Sequence, residues 1–292
     1  MLIEYYCSQS IFSDPGMYLS DFDDLPTDIN KLCNRINYLF LHYADFNLYS
    51  FSVNQNRYAE LNLRYLCKII QKIFSYNKNS LNERRKIDNR ILGICRDSAL
   101  LLCSILRSRG IPARLRSGYI NYFIPGFFLD GFCLEFYDSS LKRWRFVDTR
   151  TSEFQIQQYK LTIDFDLTDI PDDKFITAAK AWKMCREGRF DPNRFGSRQF
   201  FGLKTIRNRF IQDLALLNKY ELLVWDLWKP MFDPIENQLA FLDSLSNDLI
   251  SHAGEVEYLN GLYNFFPFLA PPDTVLVDNP FLSEYYEKLV LN

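Results

Sequence analysis

Few residues in this 292-residue chain can do chemistry, and one of them, Cys95, stands at a chemically useful place. Ala99, Leu102, Cys103 and Leu106 follow it at i, i+3, i+4 and i+7 spacing, so Cys95 begins the apolar stripe of a helix. A thiol at a helix N-terminus feels the positive end of the macrodipole, which favours the nucleophilic thiolate. The plainer reading, a buried structural thiol, stays open. Only His42 and His252 carry an imidazole, so His-dependent chemistry has few places to start. His42, in Tyr38-Leu-Phe-Leu-His42, reads as part of a buried helical face, and His252 follows Leu249-Ile-Ser. Asp148 sits late in an alternating stretch. It could cap a turn, or pair with Arg145 or Arg150.

The elements that must position these groups are legible around Cys95. Gly110 and Ile111-Pro112 stop its helix. Alternation then predicts strands over 113–123, 131–137 and 143–149, with turns at Pro125-Gly126 and Ser139-Ser140. Trp144, Phe146 and Asp148 share one face of the last strand. Helix, strand and hairpin in that order make the fold class α+β rather than a parallel sheet. Upstream, helical spacing covers Ile29 to Leu39 and Tyr58 to Ser75. Downstream, Ala178 to Cys185, Asn208 to Leu227 and Pro234 to Leu249 read as helices, and Tyr263 to Pro280 as irregular. Residues 1–155 are thus expected to form a core with N-terminal helices, and residues 156–292 a helical C-terminal extension packed on it.

The segment Gly93-Ile-Cys95-Arg-Asp-Ser-Ala-Leu-Leu-Leu-Cys-Ser-Ile-Leu-Arg-Ser-Arg-Gly-Ile-Pro-Ala-Arg114 resembles the core of the transglutaminase-like superfamily, with its papain-like cysteine fold. The superfamily's second motif, Asp-His-Trp-x-x-Glu-Tyr followed by Arg-Trp and Val-Asp, resembles Asp130-Gly131-Phe132-Cys133-Leu134-Glu135-Phe136 and Arg143-Trp144-Arg145-Phe146-Val147-Asp148. Phe175–Trp182 and Asp213–Trp225 look like a bacterial branch of the same superfamily. The resemblance implies a Cys-His-Asp relay acting on an amide or ester carbonyl. Cys95 matches the nucleophile and Asp148 the orienting acid, and Asp130, Phe132 and Cys133 flank the site as binding residues. The His falls on Gly131, which has nothing to titrate, and Phe132 replaces the Trp. Glu135, two same-face steps along an ideal strand, would lie roughly 13 Å from the missing imidazole. Cys133 is nearer but shuttles protons poorly, and Asp130 faces the other way unless a bulge re-aims it.

Composition bounds the alternatives. Net charge is −2, with 34 basic and 36 acidic residues, so no broad polyanion-binding surface and no nucleic-acid partner is implied. Arg194-Phe-Gly-Ser-Arg-Gln-Phe-Phe201 mixes basic and aromatic residues, yet reads better as a packed loop. Glu83-Arg-Arg-Lys86 reads as a solvated face, with phosphate binding the minor alternative. Seven scattered cysteines without CxxC fit a reducing compartment rather than a disulfide framework. There is no nucleotide, zinc or calcium motif, so no cofactor and no metal is expected. No apolar stretch spans a bilayer and no secretory signal is visible, so a cytoplasmic protein is expected, with delivery by a specialised secretion system left open. The leading expectation is a degenerate transglutaminase-like protein that keeps a cleft for an amide- or peptide-containing partner. Two others stand beside it: an active Cys95-dependent acyltransferase or amidase with a non-standard base, and an interaction module using the Phe-rich C-terminal surface. The sequence leaves the oligomeric state open.

Overall fold

A computed structural model describes residues 2–197 and 200–291. In chain order the first helices are α1 (Leu2–Tyr5), α2 (Ile29–Ile36) and α3 (Leu66–Tyr76), with β1 (Phe40–His42) between the last two. Then come β2 (Ile91–Gly93), α4 (Cys95–Ser108), β3 (Ala113–Ile124), β4 (Phe127–Asp138), β5 (Arg143–Val147) and α5 (Glu153–Tyr159). The remainder is β6 (Phe175–Thr177), α6 (Ala178–Arg186), β7 (Phe195–Ser197), β8 (Phe200–Phe201), α7 (Leu203–Leu217) and β9 (Asp226–Leu227). Helices α8 (Leu239–His252) and α9 (Val256–Phe265) and strands β10 (Thr274–Val277) and β11 (Tyr285–Lys288) close the chain. The class is α+β. Among the described residues, no helix is long and apolar enough to cross a membrane.

The chain forms two compact units, and neither is a contiguous segment. One runs from Tyr6 to Arg114 and from Cys133 to Ile170. Helix α4 is its centre, flanked by α2 and α3. Leu100, Leu101, Leu102 and Ile105 are fully buried, as are Leu32, Ile70 and Ile73 of the flanking helices. The start of α4 is fixed from both sides: Asp97 Oδ2 accepts from the Ile94 N–H at 2.9 Å, and Arg96 Nη2 donates to the Arg64 carbonyl at 2.6 Å. At its end Gly110 adopts φ +71°, which lets the Ile111 N–H reach the Leu106 carbonyl at 2.9 Å. Strand β2, just before Cys95, runs parallel to β1 with His42 opposite Gly93. It is held by buried Glu60, which accepts from the Leu92 N–H at 2.7 Å, from Arg57 and from the Tyr76 hydroxyl. In this unit β4 pairs antiparallel with β5, Leu134 opposite Val147.

The other unit takes β3 from Leu115, β4 up to Phe132, and the chain from Pro171 onward. Its strands follow the order β6-β3-β4-β7-β8, and a second small sheet follows β11-β10-β9. Tyr119 of β3 and Phe128 of β4 share one core with Trp182, Phe195, Phe210, Leu214 and Leu217. Asp213 of α7 anchors β3: it accepts from Arg116 Nε at 3.0 Å and Nη2 at 2.8 Å, and from the Ser117 N–H at 2.8 Å. Gly118 admits the close approach of β6, because a Cβ there would lie 2.3 Å from the Ile176 carbonyl oxygen.

Several sequence expectations change in detail. The helix expected over Tyr58 to Ser75 is a 3-10 helix, Gln55–Asn62, followed by α3, since Leu63 at the break is extended. The helix expected from Asn208 to Leu227 starts earlier and stops at Leu217. The expected irregular stretch from Tyr263 contains the end of α9 and all of β10. His42 ends a strand rather than lying on a helical face. In the basic cluster Arg85 is buried, donating to the Asn77 and Asn79 carbonyls, and Arg84 stacks over Tyr38 at 4.1 Å. That geometry favours packing over phosphate binding. Of Arg194–Phe201, Phe195 is core and Arg194 Nε donates to the Gly126 carbonyl at 2.6 Å, while residues 198 and 199 lie outside the described residues.

Candidate active site

Cys95 is the first residue of α4 and is partly exposed. Cys95 and Ser98, three residues apart, share a helix face. Ser98 Oγ donates to the Cys95 carbonyl at 3.0 Å and lies 2.8 Å from Thr149 Oγ1. That contact joins the first turn of α4 to the segment leaving β5. Asp148 is buried there, and its carboxylate serves its own loop. Oδ1 accepts from the N–H groups of Arg150 and Thr151 at 2.7 and 2.9 Å, and Oδ2 accepts from Thr151 Oγ1 at 2.5 Å. Of the bland readings for Asp148, capping a turn is the one observed. Arg145 pairs instead with Asp138 at 2.8 Å, and the Arg150 guanidinium with Asp45 at 2.8 Å.

Asp45 is the group that sequence reasoning missed. Fully buried in the 3-10 helix Tyr43–Tyr49, it accepts from Arg150 Nη2, from the Tyr159 hydroxyl at 2.6 Å and from Gln155 Nε2 at 3.3 Å. Burial works against its charge, but Arg150, His42 and Tyr159 outweigh that and hold the carboxyl below its ordinary range. Burial likewise opposes charge on Arg150, and Asp45, Cys95 and Asp148 outweigh it and raise the guanidinium. A cavity of about 20 Å³, close to the space of one water, is lined by Phe40, His42, Ile94, Ser98, Arg150 and Gln155 among others. His42 Nδ1 accepts from the Ala44 N–H at 3.2 Å, so the neutral ring carries its proton on Nε2. The one local sign of this cluster was His42-Tyr-Ala-Asp45, a turn signature whose carboxylate partner lies 105 residues away.

The other sequence candidates divide between the units. Cys133 belongs with Cys95 and Asp148, and burial pushes its thiol well above the ordinary range, with Asp148 and Cys95 adding to the rise. Glu135 is taken up by a buried ion pair with Arg114 at 2.6 Å. Asp130, Gly131 and Phe132 fall in the other unit, where Asp130 pairs with Arg209 at 2.7 Å and Phe132 is buried. His252 ends α8 with Nδ1 3.0 Å from the Asp248 carbonyl and stacks on Tyr258. Among the described residues no group of three or more His, Cys, Asp or Glu side chains is placed to hold a metal ion.

A Cys-headed helix packed in an α+β unit, with an Asp at the end of the following strands, defines a class. Residues 53–149 match the family model of the transglutaminase-like superfamily core, and Cys95, Gly131 and Asp148 all fall inside that stretch. That match is to the core of the superfamily and covers about a third of the chain. No curated protein matches the chain at a significant level. Among solved structures it is similar to "a Putative Cysteine Protease from Cytophaga hutchinsonii", at 16% identity and a TM-score of 0.32. That similarity covers 60% of this chain, and the chain spans 45% of the other protein.

Proposed function

We propose that this transglutaminase-like protein carries an incomplete Cys-His-Asp relay and binds an amide- or peptide-containing partner without efficient turnover. Asp148 carries the reading. The carboxylate that would orient an imidazole accepts three hydrogen bonds from its own loop, and the superfamily's His position is Gly131. Cys95 would be the nucleophile, but an amide needs its leaving nitrogen protonated, and a lost relay member typically leaves only about 10³–10⁴-fold catalysis over water. The test is Gly131→His, which supplies an imidazole, assayed beside the native chain on a panel of anilides, peptides and activated esters. Amide turnover that appears in the variant and vanishes with Cys95→Ala supports the reading. Native turnover as fast as the variant's, and lost with Cys95→Ala, overturns it.

Two observations favour other readings. His42 lines the cavity that Ile94 and Ser98 also line, which favours an active cysteine acyltransferase or amide hydrolase with a non-standard base. Its Nδ1 bond to Ala44 weighs against this, because it leaves Nε2 protonated and no ring lone pair available to take a proton. Phe265 and Phe268 are 80% and 46% exposed, which favours an interaction role for the C-terminal surface. Substitution of both by Ser separates that role from one at Cys95.

A further inference from the structure

Resting on the reading of a site without a proton carrier, we propose that Arg150, anchored by Asp45, is the fixed counter-charge of Cys95, and that the site is acylated by a thioester, where an amide is bound without turnover.

Two contacts and a shared cavity wall set the placement of Arg150. The Ser98–Thr149 contact at 2.8 Å holds the segment that carries Arg150 against the first turn of α4, on the face that Cys95 shares. The cavity wall includes Ile94 and Ser98, which bracket Cys95, together with Arg150. Asp45 then fixes the guanidinium at 2.8 Å and is itself steadied by Tyr159 and Gln155. The rise in Arg150 basicity, to which Cys95 contributes, agrees with that closeness. Among the described residues, the charged or titratable groups around this end of α4 also include Arg96 and Asp97 on the helix, Asp148 after β5, His42, Asp45 and Tyr49 from the N-terminal segment, Cys33 on α2, Cys133 on β4 and Tyr159 on α5.

An arginine in the place of an imidazolium changes which reactions are open. Both stabilise a thiolate, but a guanidinium holds its proton at all working pH values and cannot transfer it to a leaving group. An amide leaves as an amine, which must be protonated as its C–N bond breaks. A thioester leaves as a thiolate, which needs no proton. The step is balanced as written: the Cys95 thiolate adds to the thioester carbonyl, the electron pair moves onto oxygen and returns, and the old acyl C–S bond breaks. Charge passes from Cys95 to the departing thiolate, and the acyl group ends on Cys95. Hydrolysis of that product needs a base to activate water, so the acyl group persists.

The experiment incubates the full chain at pH 7 with S-acetyl-N-acetylcysteamine or with acetyl p-nitroanilide. Released thiol or nitroaniline is followed, and the modified residue is located by mass spectrometry. The expected result is one equivalent of thiol per chain, an acetyl group on Cys95, and no nitroaniline. Arg150→Gln should slow acetylation by about tenfold or more at pH 7, with the gap closing near pH 10 where the thiol ionises unaided. Arg150→Lys should recover most of the rate. The double variant Asp45→Asn with Arg150→Gln avoids a buried carboxylate without its cation, and it should be as slow as Arg150→Gln if that single variant folds poorly. Acetylation at an unchanged rate in these variants overturns the role of Arg150 and leaves the incomplete relay standing. No acetylation of folded native protein overturns the thioester assignment alone. Release of nitroaniline by native protein overturns both readings.

Discussion

Asp45→Asn is the most informative single perturbation of the structure. The native carboxylate is fully buried and takes three hydrogen bonds, from Arg150 at 2.8 Å, Tyr159 at 2.6 Å and Gln155 at 3.3 Å. An amide keeps the shape but turns one acceptor into a donor facing donors, and it leaves Arg150 without its counter-charge. Hydrogen bonds to charged groups are worth about 1.5–3 kcal/mol, and breaking a buried pair costs about 3–5 kcal/mol. With one bond retained, the expected loss is about 3 kcal/mol. At about 2–4 °C per kcal/mol for chains somewhat shorter than this one, the melting temperature should fall by roughly 6–12 °C. The pH dependence has a definite sign. The folded carboxyl titrates below its ordinary value, so its contribution is complete above about pH 4 and is lost as pH falls through the folded value. Urea titrations of both proteins should therefore show the full difference between pH 6 and 8, and a smaller difference as the pH falls below about 4. Asp166→Asn, whose side chain is 57% exposed and 3.9 Å from Arg145, is the control and should change stability by less than about 0.5 kcal/mol. A loss under about 1 kcal/mol for Asp45→Asn, or one that grows toward acid, refutes the buried-pair account.

Three further outcomes are expected. Gly118→Ala drives a methyl against the Ile176 carbonyl and should cost about 1–3 kcal/mol by urea denaturation. Iodoacetamide at pH 8 should leave Cys33 and Cys133 unlabelled in the folded protein, since burial protects both thiols and raises them, and peptide mapping after unfolding should recover both. Deletion of residues 171–292 removes Trp182, Phe210 and Leu214 from the core that Tyr119 and Phe128 share, and should give insoluble protein; a soluble fragment with a cooperative melt would count against this.

The stretch from Cys95 to Val147 was legible because each element there is long, has a clear period and is punctuated. Helix α4 has its stripe and its Gly110 stop, and β3 and β4 alternate on either side of Pro125-Gly126. What escaped depends on partners distant in sequence. His42 belongs to a three-residue strand whose register is set by Ile91–Gly93, about fifty residues on. Strand β10 exists through β9 and β11, and nothing in Thr274–Val277 alone distinguishes it from the Pro- and Phe-rich turns around it. For the candidate site, Cys95 was picked out from its place at the head of a helix and Asp148 from the resemblance to the superfamily motif. The pairing of Arg150 with Asp45 was not, because two charged residues 105 apart give no periodic signal.

The interleaving of the two compact units bears on how the chain emerges from the ribosome. Strands β3 and β4 are made early, but the α6, α7, α8 and α9 side chains that share a core with Tyr119 and Phe128 follow much later, and Leu269 is the last residue of that core. At about 5–20 residues per second, that gap is on the order of ten seconds of synthesis. For that interval a nascent sheet presents bare aromatic residues, while α2, α3 and α4 already have all of each other to pack against. Chaperone capture during translation should therefore peak after β4 is complete and end only once α9 has left the exit tunnel. Ribosomes stalled between those points would carry the binding-competent intermediates.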